Sequence, residues 1–301
     1  MSQQLNRTLK SSIRLYWQCA VVCLEFKKLG KNGVEVPVLG LGTWGIGGFS
    51  DRHLGGEDKA VRALRLGLEL GMRFVDTAEA YAHGHSEEVV GMAVGEERES
   101  VFIATKVSAE NLGYEAVLRS CEASLKRLKT KYVDLYQVHW PNTRIPIGET
   151  MKAMEKLAEE GKVREIGVSN FSVQQTREAQ EALSKKTLAS NQVEYSLVER
   201  SIEEDLLPYC TKEHVTIIAY SPVARGRIPG GGREERWEIL DRIAEKYGKT
   251  RTQVALNWLI CKEPVVAIPK AGELEHVREN AGSVGWALKR EDQDGLSKAF
   301  S

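Results

Sequence analysis

From residue 39 onward the chain alternates between short, near-continuous apolar runs and longer stretches in which apolar residues recur every three or four positions. The runs LGLGT (39–43), RFVDT (73–77), VFIATKV (101–107), VDLYQVH (133–139), REIGVS (164–169), ASNQVEY (189–195), VTIIAYS (215–221) and VVAIP (265–269) have the length and β-branched content of strands. Their lack of strict polar alternation predicts strands covered on both faces. Between them the helical period dominates. In 57–70, Val61, Leu64 and Leu68 share one face and Gly71 follows as a stop; in 149–160, Met151, Met154, Leu157 and Ala158 do the same ahead of Gly161. Capping-box patterns at Ser172-x-x-Gln175, Ser201-x-x-Glu204 and Thr250-x-x-Gln253 predict three further helix starts. Strand–helix alternation eight times over predicts an α/β fold, a closed (β/α)8 TIM barrel, with an open doubly wound sheet as the competitor. Ahead of it, LEFKKLGKNGVEVPVLG predicts an N-terminal β-hairpin turning at Asn32-Gly33.

Residues 1–24 read differently, with Arg7, Lys10 and Arg14, no acid, and then the apolar LYWQCAVVCL. We expect an N-terminal extension, disordered or arising from a misplaced start codon, with the natural protein beginning near Val21 to Leu24. A single barrel domain is expected over 25–301. Basic and acidic residues balance at 42 each, which leaves no electrostatic footprint for nucleic acid or an anionic membrane surface. No apolar run approaches the ~20 residues of a membrane span. The cysteines Cys19, Cys23, Cys121, Cys210 and Cys261 are irregularly spaced and read as reduced thiols of a cytoplasmic protein. His83-Gly-His85 lacks a third ligand at metal spacing and reads as a pair of surface-loop histidines, with Ser86 as the cap of the next helix.

Candidate chemistry gathers where successive strands end. Asp76 closes its strand, Tyr81 follows on the loop, and Lys106 and His139 stand near the ends of the next two. Active sites of such barrels lie at this rim. A free phenol titrates near ~10, too weak an acid for efficient donation at neutral pH. An adjacent ammonium favours the phenolate and is expected to lower that value, and an aspartate partner keeps the buried lysine charged. A neutral His139 can offer a ring N–H to a substrate oxygen. Together these groups suit proton donation to a carbonyl as a hydride reaches its carbon. Gly40-Leu-Gly42-Thr-Trp-Gly45 matches a dinucleotide fingerprint, but no helical pattern opens before Glu57, so it reads as a glycine-rich loop with close backbone approach. No nucleophile elbow of a serine hydrolase occurs.

Nine segments resemble one family, the aldo-keto reductases, in its microbial branch: GLGTWGIGG (40–48), RFVDTAEAY (73–81), GHSEEVVG (84–91), ATKV (104–107), SLKRLKTKYVDLYQVHWP (124–141), GKVREIGVSNFS (161–172), NQVEYSL (191–197), AYSPVARG (219–226) and IPKA with REN (268–280). The resemblance implies NADP(H)-dependent, reversible reduction of aldehydes or ketones, with Tyr81 as general acid, Lys106 and Asp76 tuning it, and His139 orienting the substrate. It implies cofactor contacts from Ser169, Asn170 and Gln192 to the nicotinamide carboxamide and from Tyr220 to its ring. Gly42 and Thr43, beside Trp44, would line the ribose. Ser221, Pro222, Val223, Arg225 and Gly226 would contact the pyrophosphate, with 226–232 folding over it. Ile268, Pro269, Lys270 and His276 would form the phosphate-selecting stretch, and Glu279 and Asn280 would meet the adenine. Trp44, Tyr81, His139 and Trp140 would wall the substrate pocket, and no metal is implied.

One departure stands in the phosphate-selecting stretch, where the family commonly has serine and arginine but this chain has Ala271 and His276. Histidine lacks the bidentate fork that grips a phosphate. The expected preference for NADP(H) over NAD(H) is therefore weakened, with NAD(H) also accepted. A small carbonyl compound is the expected partner, an open pocket is expected from the short loops, and the sequence carries no signal of oligomeric state. The rival functional readings are a cofactor-sensing or channel-subunit-like protein on the same fold, which the tetrad argues against, and a phosphate-sugar isomerase, which would not need the Tyr–Lys pair.

Overall fold

The computed structural model describes residues 26–301 apart from 32, 50 and 271; the expected extension over 1–24, the turn residue Asn32 and the substituted Ala271 lie outside the described residues. The hairpin is present: β1 (Phe26–Leu29) and β2 (Val34–Pro37) pair antiparallel, with Leu29 opposite Val34. Eight strands then form one parallel sheet in chain order: β3 (Leu41–Gly42), β4 (Phe74–Asp76), β5 (Phe102–Val107), β6 (Val133–Val138), β7 (Val163–Ser169), β8 (Leu188–Glu194), β9 (Thr216–Tyr220) and β10 (Val265–Ala267).

The sheet closes on itself. Gly40 N donates to Ala267 O at 2.8 Å, Gly42 N to Pro269 O at 3.1 Å, and Ala267 N to Val38 O at 2.9 Å. This seam admits no side chain, because a Cβ on Gly42 would lie 2.6 Å from the Ile268 carbonyl oxygen. The glycine-rich run is thus a barrel seam, and among the described residues no helix opens between it and Glu57. The fold is a (β/α)8 barrel capped at its N-terminal end by the hairpin, whose Leu29 and Val36 join the barrel interior.

Eleven α-helices occur among the described residues: α1 (Glu57–Glu69), α2 (His85–Val94), α3 (Tyr114–Leu128), α4 (Ile147–Glu159), α5 (Val173–Glu181), α6 (Leu206–Glu213), α7 (Arg227–Gly230), α8 (Glu235–Tyr247), α9 (Arg251–Ile260), α10 (Leu274–Ala281) and α11 (Arg290–Ala299). The apolar stripes face the strands as their period requires: Leu64 and Leu68 of α1, and Met151, Met154 and Leu157 of α4, are buried. Ser172 and Thr250 form complete capping boxes with Gln175 and Gln253. The third box fails. Ser201 turns its hydroxyl back to Glu199 at 2.6 Å and opens a single 3-10 turn, and the helix starts only at Leu206. None of the described helices is long and apolar enough to cross a membrane.

Two cores result. The larger lies between strands and helices, and the smaller fills the barrel with Phe74, Ala104, Leu135, Ala189, Ile218 and Val266. Strand side chains alternate in direction, so the residues two positions beyond Phe74, Ala104 and Leu135 must also point inward, one layer nearer the C-terminal rim. Those residues are Asp76, Lys106 and Gln137.

Candidate active site

Asp76 ends β4, Lys106 stands one residue from the end of β5, and His139 follows the last residue of β6. Tyr81 begins a 3-10 turn five residues beyond Asp76. The fold brings all four together. Lys106 Nζ donates to Asp76 Oδ1 at 2.6 Å, to the Thr77 carbonyl at 2.9 Å and to Tyr81 OH at 3.1 Å. The same ammonium lies 4.9 Å from the Tyr81 ring centre, and the His139 ring meets the Tyr81 ring edge-on at 5.6 Å.

Lys106 is fully buried and Asp76 is 2% exposed, so neither charge is stable there alone. Burial works against the ammonium, but the Asp76 carboxylate and the Tyr81 oxygen outweigh it, and the lysine is held above its ordinary range. Burial also pushes the Tyr81 phenol up, against the opposing pull of Lys106. The sequence expectation of a lowered phenol is thereby corrected: the ammonium acts as argued, but desolvation is the larger influence. Burial, helped by the Lys106 charge, brings His139 down to about 3, so its imidazole is neutral at any ordinary pH.

Two further side chains, unread in the sequence as partners of the tetrad, hold the second oxygen of Asp76. Gln192 Nε2 donates to Oδ2 at 2.7 Å and Gln137 Nε2 approaches it at 3.4 Å. Gln137 was findable, since it lies two positions before His139 on one strand face. The contact of Gln192 with Asp76 spans the barrel and leaves no local trace.

Around the rim, Ser169, Asn170, Gln192 and Tyr220 are brought into one chain of hydrogen bonds. Ser169 Oγ donates to the Gln192 carbonyl at 2.9 Å, Asn170 Nδ2 to the His139 carbonyl at 3.1 Å, and Tyr220 OH to Asn170 Oδ1 at 3.0 Å. Tyr220 is half-buried. Ser221, Ala224 and Arg225 adopt left-handed backbone; Pro222 is buried, Val223 half-buried, and Arg225 and Gly226 are exposed. Beyond β10, Ile268 and Pro269 are buried, Lys270 and His276 are exposed, and on α10 Glu279 is half-exposed while Asn280 is buried. Trp44 and Trp140, each 51% exposed, stand at the mouth.

Thr43 is buried, and its hydroxyl donates to the Asp76 backbone carbonyl at 2.9 Å. Two readings of this region need correction. Ser86 is no cap: it lies within α2 and donates to Thr43 Oγ1 at 2.8 Å. His85 is not a surface histidine. It is 3% exposed, with Nδ1 at 2.8 Å from Glu88 and Nε2 at 3.1 Å from Glu57. It fits there because Gly47 lacks a side chain, whose Cβ would come within 2.8 Å of the imidazole. His83 is exposed as expected, and no metal-holding cluster occurs among the described residues.

The aldo/keto reductase family profile matches residues 38–299. Methylglyoxal reductase YeaE of Escherichia coli (strain K12) is 40% identical over 268 residues, covering 89% of this chain and 92% of that protein. The crystal structure of the thermostable aldo-keto reductase Tm1743 with the inhibitor epalrestat is 42% identical, with a TM-score of 0.87 over 92% of this chain and 100% of that one. The aldo/keto reductase of Klebsiella pneumoniae in complex with NADP and acetate is 38% identical, with a TM-score of 0.81 over 91% of this chain and 95% of that one.

Proposed function

The chain belongs to the aldo/keto reductase family, and from that premise we propose that it reduces aldehydes and ketones to alcohols, reversibly, using NADP(H) and Tyr81 as general acid. The observation that carries this reading is the position of Lys106 Nζ, 2.6 Å from Asp76 Oδ1 and 3.1 Å from Tyr81 OH. A proton donor must stay protonated until its substrate arrives, and burial holds the phenol so.

The residues present fit the dinucleotide. The half-buried Tyr220 is tied through Asn170 to the His139 backbone, and the cations Arg225 and Lys270 are exposed, which suits a ligand carrying a planar ring and phosphates. When bound, NADPH supplies the hydride that reduces the carbonyl carbon. His139, neutral, donates a ring N–H to the carbonyl oxygen and fixes its direction. Tyr81 gives its proton to that oxygen, and the resulting phenolate is stabilised by the Lys106 ammonium, itself held by Asp76. Ser169, Asn170 and Gln192 border the same rim and would meet the carboxamide.

We take the substrates to be small aldehydes, methylglyoxal among them by likeness to the Escherichia coli enzyme, with the exposed Trp44 and Trp140 as an open apolar wall. A cytoplasmic setting agrees with Cys121 and Cys210, buried thiols pushed up to about 12. A purely cofactor-sensing role would not need a tuned acid. Turnover of methylglyoxal and an activated aromatic aldehyde with NADPH tests the reading; firm NADPH binding with no turnover of any aldehyde would sink it.

A further inference from the structure

Away from the tetrad, Lys59 and Glu273 form an ion pair between two packed helices. Lys59 lies in the first turn of α1, and Glu273 immediately precedes α10. Glu273 occupies the capping position of α10 but does not cap it; its side chain reaches across to Lys59 instead. Both side chains are well exposed, at 57% and 59%, so neither is a packing residue. Lys59, Lys270, Gly272 and Glu273 line one cleft of about 550 Å³. Gly272 puts no side chain there, and a Cβ on it would have Lys270 Nζ as its near neighbour at 3.7 Å. The hydrogen bond from Lys59, with smaller help from the charges of His276 and Lys270, holds the Glu273 carboxyl below its usual range. One carboxylate therefore shares a cleft with two lysines, Lys59 from α1 and Lys270 from the loop after β10.

We propose that Glu273 is a built-in competitor of the cofactor's 2′-phosphate, and that Lys59 is a further phosphate-binding residue kept occupied by it. This rests on the reading above that the adenosine end of the dinucleotide lies at Lys270. A phosphate monoester carries about −1.5 to −2 at neutral pH, so Glu273 repels it and engages a cation it would use. A 2′-hydroxyl is neutral, and a carboxylate can accept a hydrogen bond from it. The two dinucleotides thus meet Glu273 with opposite sign. The narrowed preference for NADP(H) expected from the sequence would then have a second source besides the missing serine and arginine: an acid placed in the phosphate corner.

The test is direct binding of NADP+ and NAD+, read by quenching of tryptophan fluorescence, to wild type, Glu273→Gln, Lys59→Met and the double variant. Glu273→Gln should tighten NADP+ by roughly three- to tenfold at low salt while leaving NAD+ within about twofold, and the gain should shrink as salt rises. Lys59→Met in the Glu273→Gln background should remove most of that gain. Equal changes for both dinucleotides, or none, would overturn the proposal while leaving the reductase reading intact. Wild type that binds neither dinucleotide would overturn both.

Discussion

Gln192 donates its amide to Asp76 Oδ2 at 2.7 Å across the barrel, although 116 positions separate the two in sequence. With Lys106 on Oδ1, the carboxylate is held on both oxygens in the interior. Removing the ammonium alone would strand a buried anion, so Lys106→Met should cost about 3–5 kcal/mol. Neutralising the partner as well, in Lys106→Met/Asp76→Asn, should recover about half of that loss or more. Urea unfolding of wild type, both single variants and the double variant measures this coupling. Additive losses would mean that the two charges do not depend on each other.

Gln137 offers a sharper distinction. Its Oε1 is buried without a hydrogen-bond partner, and its amide contact with Asp76 is long, at 3.4 Å. Gln137→Leu should therefore leave stability unchanged or raise it by about 1 kcal/mol, with activity within roughly threefold of wild type. Gln192→Leu should destabilise by about 1–3 kcal/mol and lower turnover, because Asp76 Oδ2 then loses its shorter bond. The same urea series and steady-state turnover check both. A larger loss from Gln137→Leu than from Gln192→Leu would reverse the ranking.

The pH profile follows from two opposite shifts. His139 gains a proton only near pH 3, and the phenol of Tyr81 stays protonated beyond the usual tyrosine range. Aldehyde reduction should thus be flat in kcat from roughly pH 5 to 9 and fall only when Tyr81 loses its proton. Alcohol oxidation needs the phenolate and should rise over the alkaline range where reduction falls. A break in reduction kcat near pH 6 to 7 would show a titrating imidazole and contradict a neutral His139.

Two glycines should respond in opposite directions. Gly42→Ala places a Cβ 2.6 Å from the Ile268 carbonyl and should open the barrel seam, with a loss of several kcal/mol or no soluble protein. Gly148 lies in the first turn of α4 with nothing within 4 Å of an added Cβ, so Gly148→Ala should stabilise by about 0.5 kcal/mol. Thermal unfolding of the two variants decides it.

What could be read from the residues was what repeats along the chain. Apolar runs and helical stripes recur often enough to specify a barrel, and Asp76, Lys106 and His139 are legible because each ends such a run. The missed features depend on partners distant in sequence. His85 follows a glycine and reads as loop, yet Glu57, Glu88 and the bare backbone of Gly47 enclose it. Ser201 carries a capping pattern, but the preceding Glu199 takes its hydroxyl. The upward shift of the Tyr81 phenol escapes the sequence for the same reason: its charged neighbour is visible in the pattern, whereas the extent of its burial is not.

The most direct test of Tyr81 as the proton donor is Tyr81→Phe, assayed for NADPH oxidation with an activated aldehyde beside a separate NADPH binding titration. Loss of turnover by roughly 10²–10⁴ with binding of NADPH preserved is the predicted result. Turnover within about threefold of wild type would contradict it and move the source of the proton elsewhere.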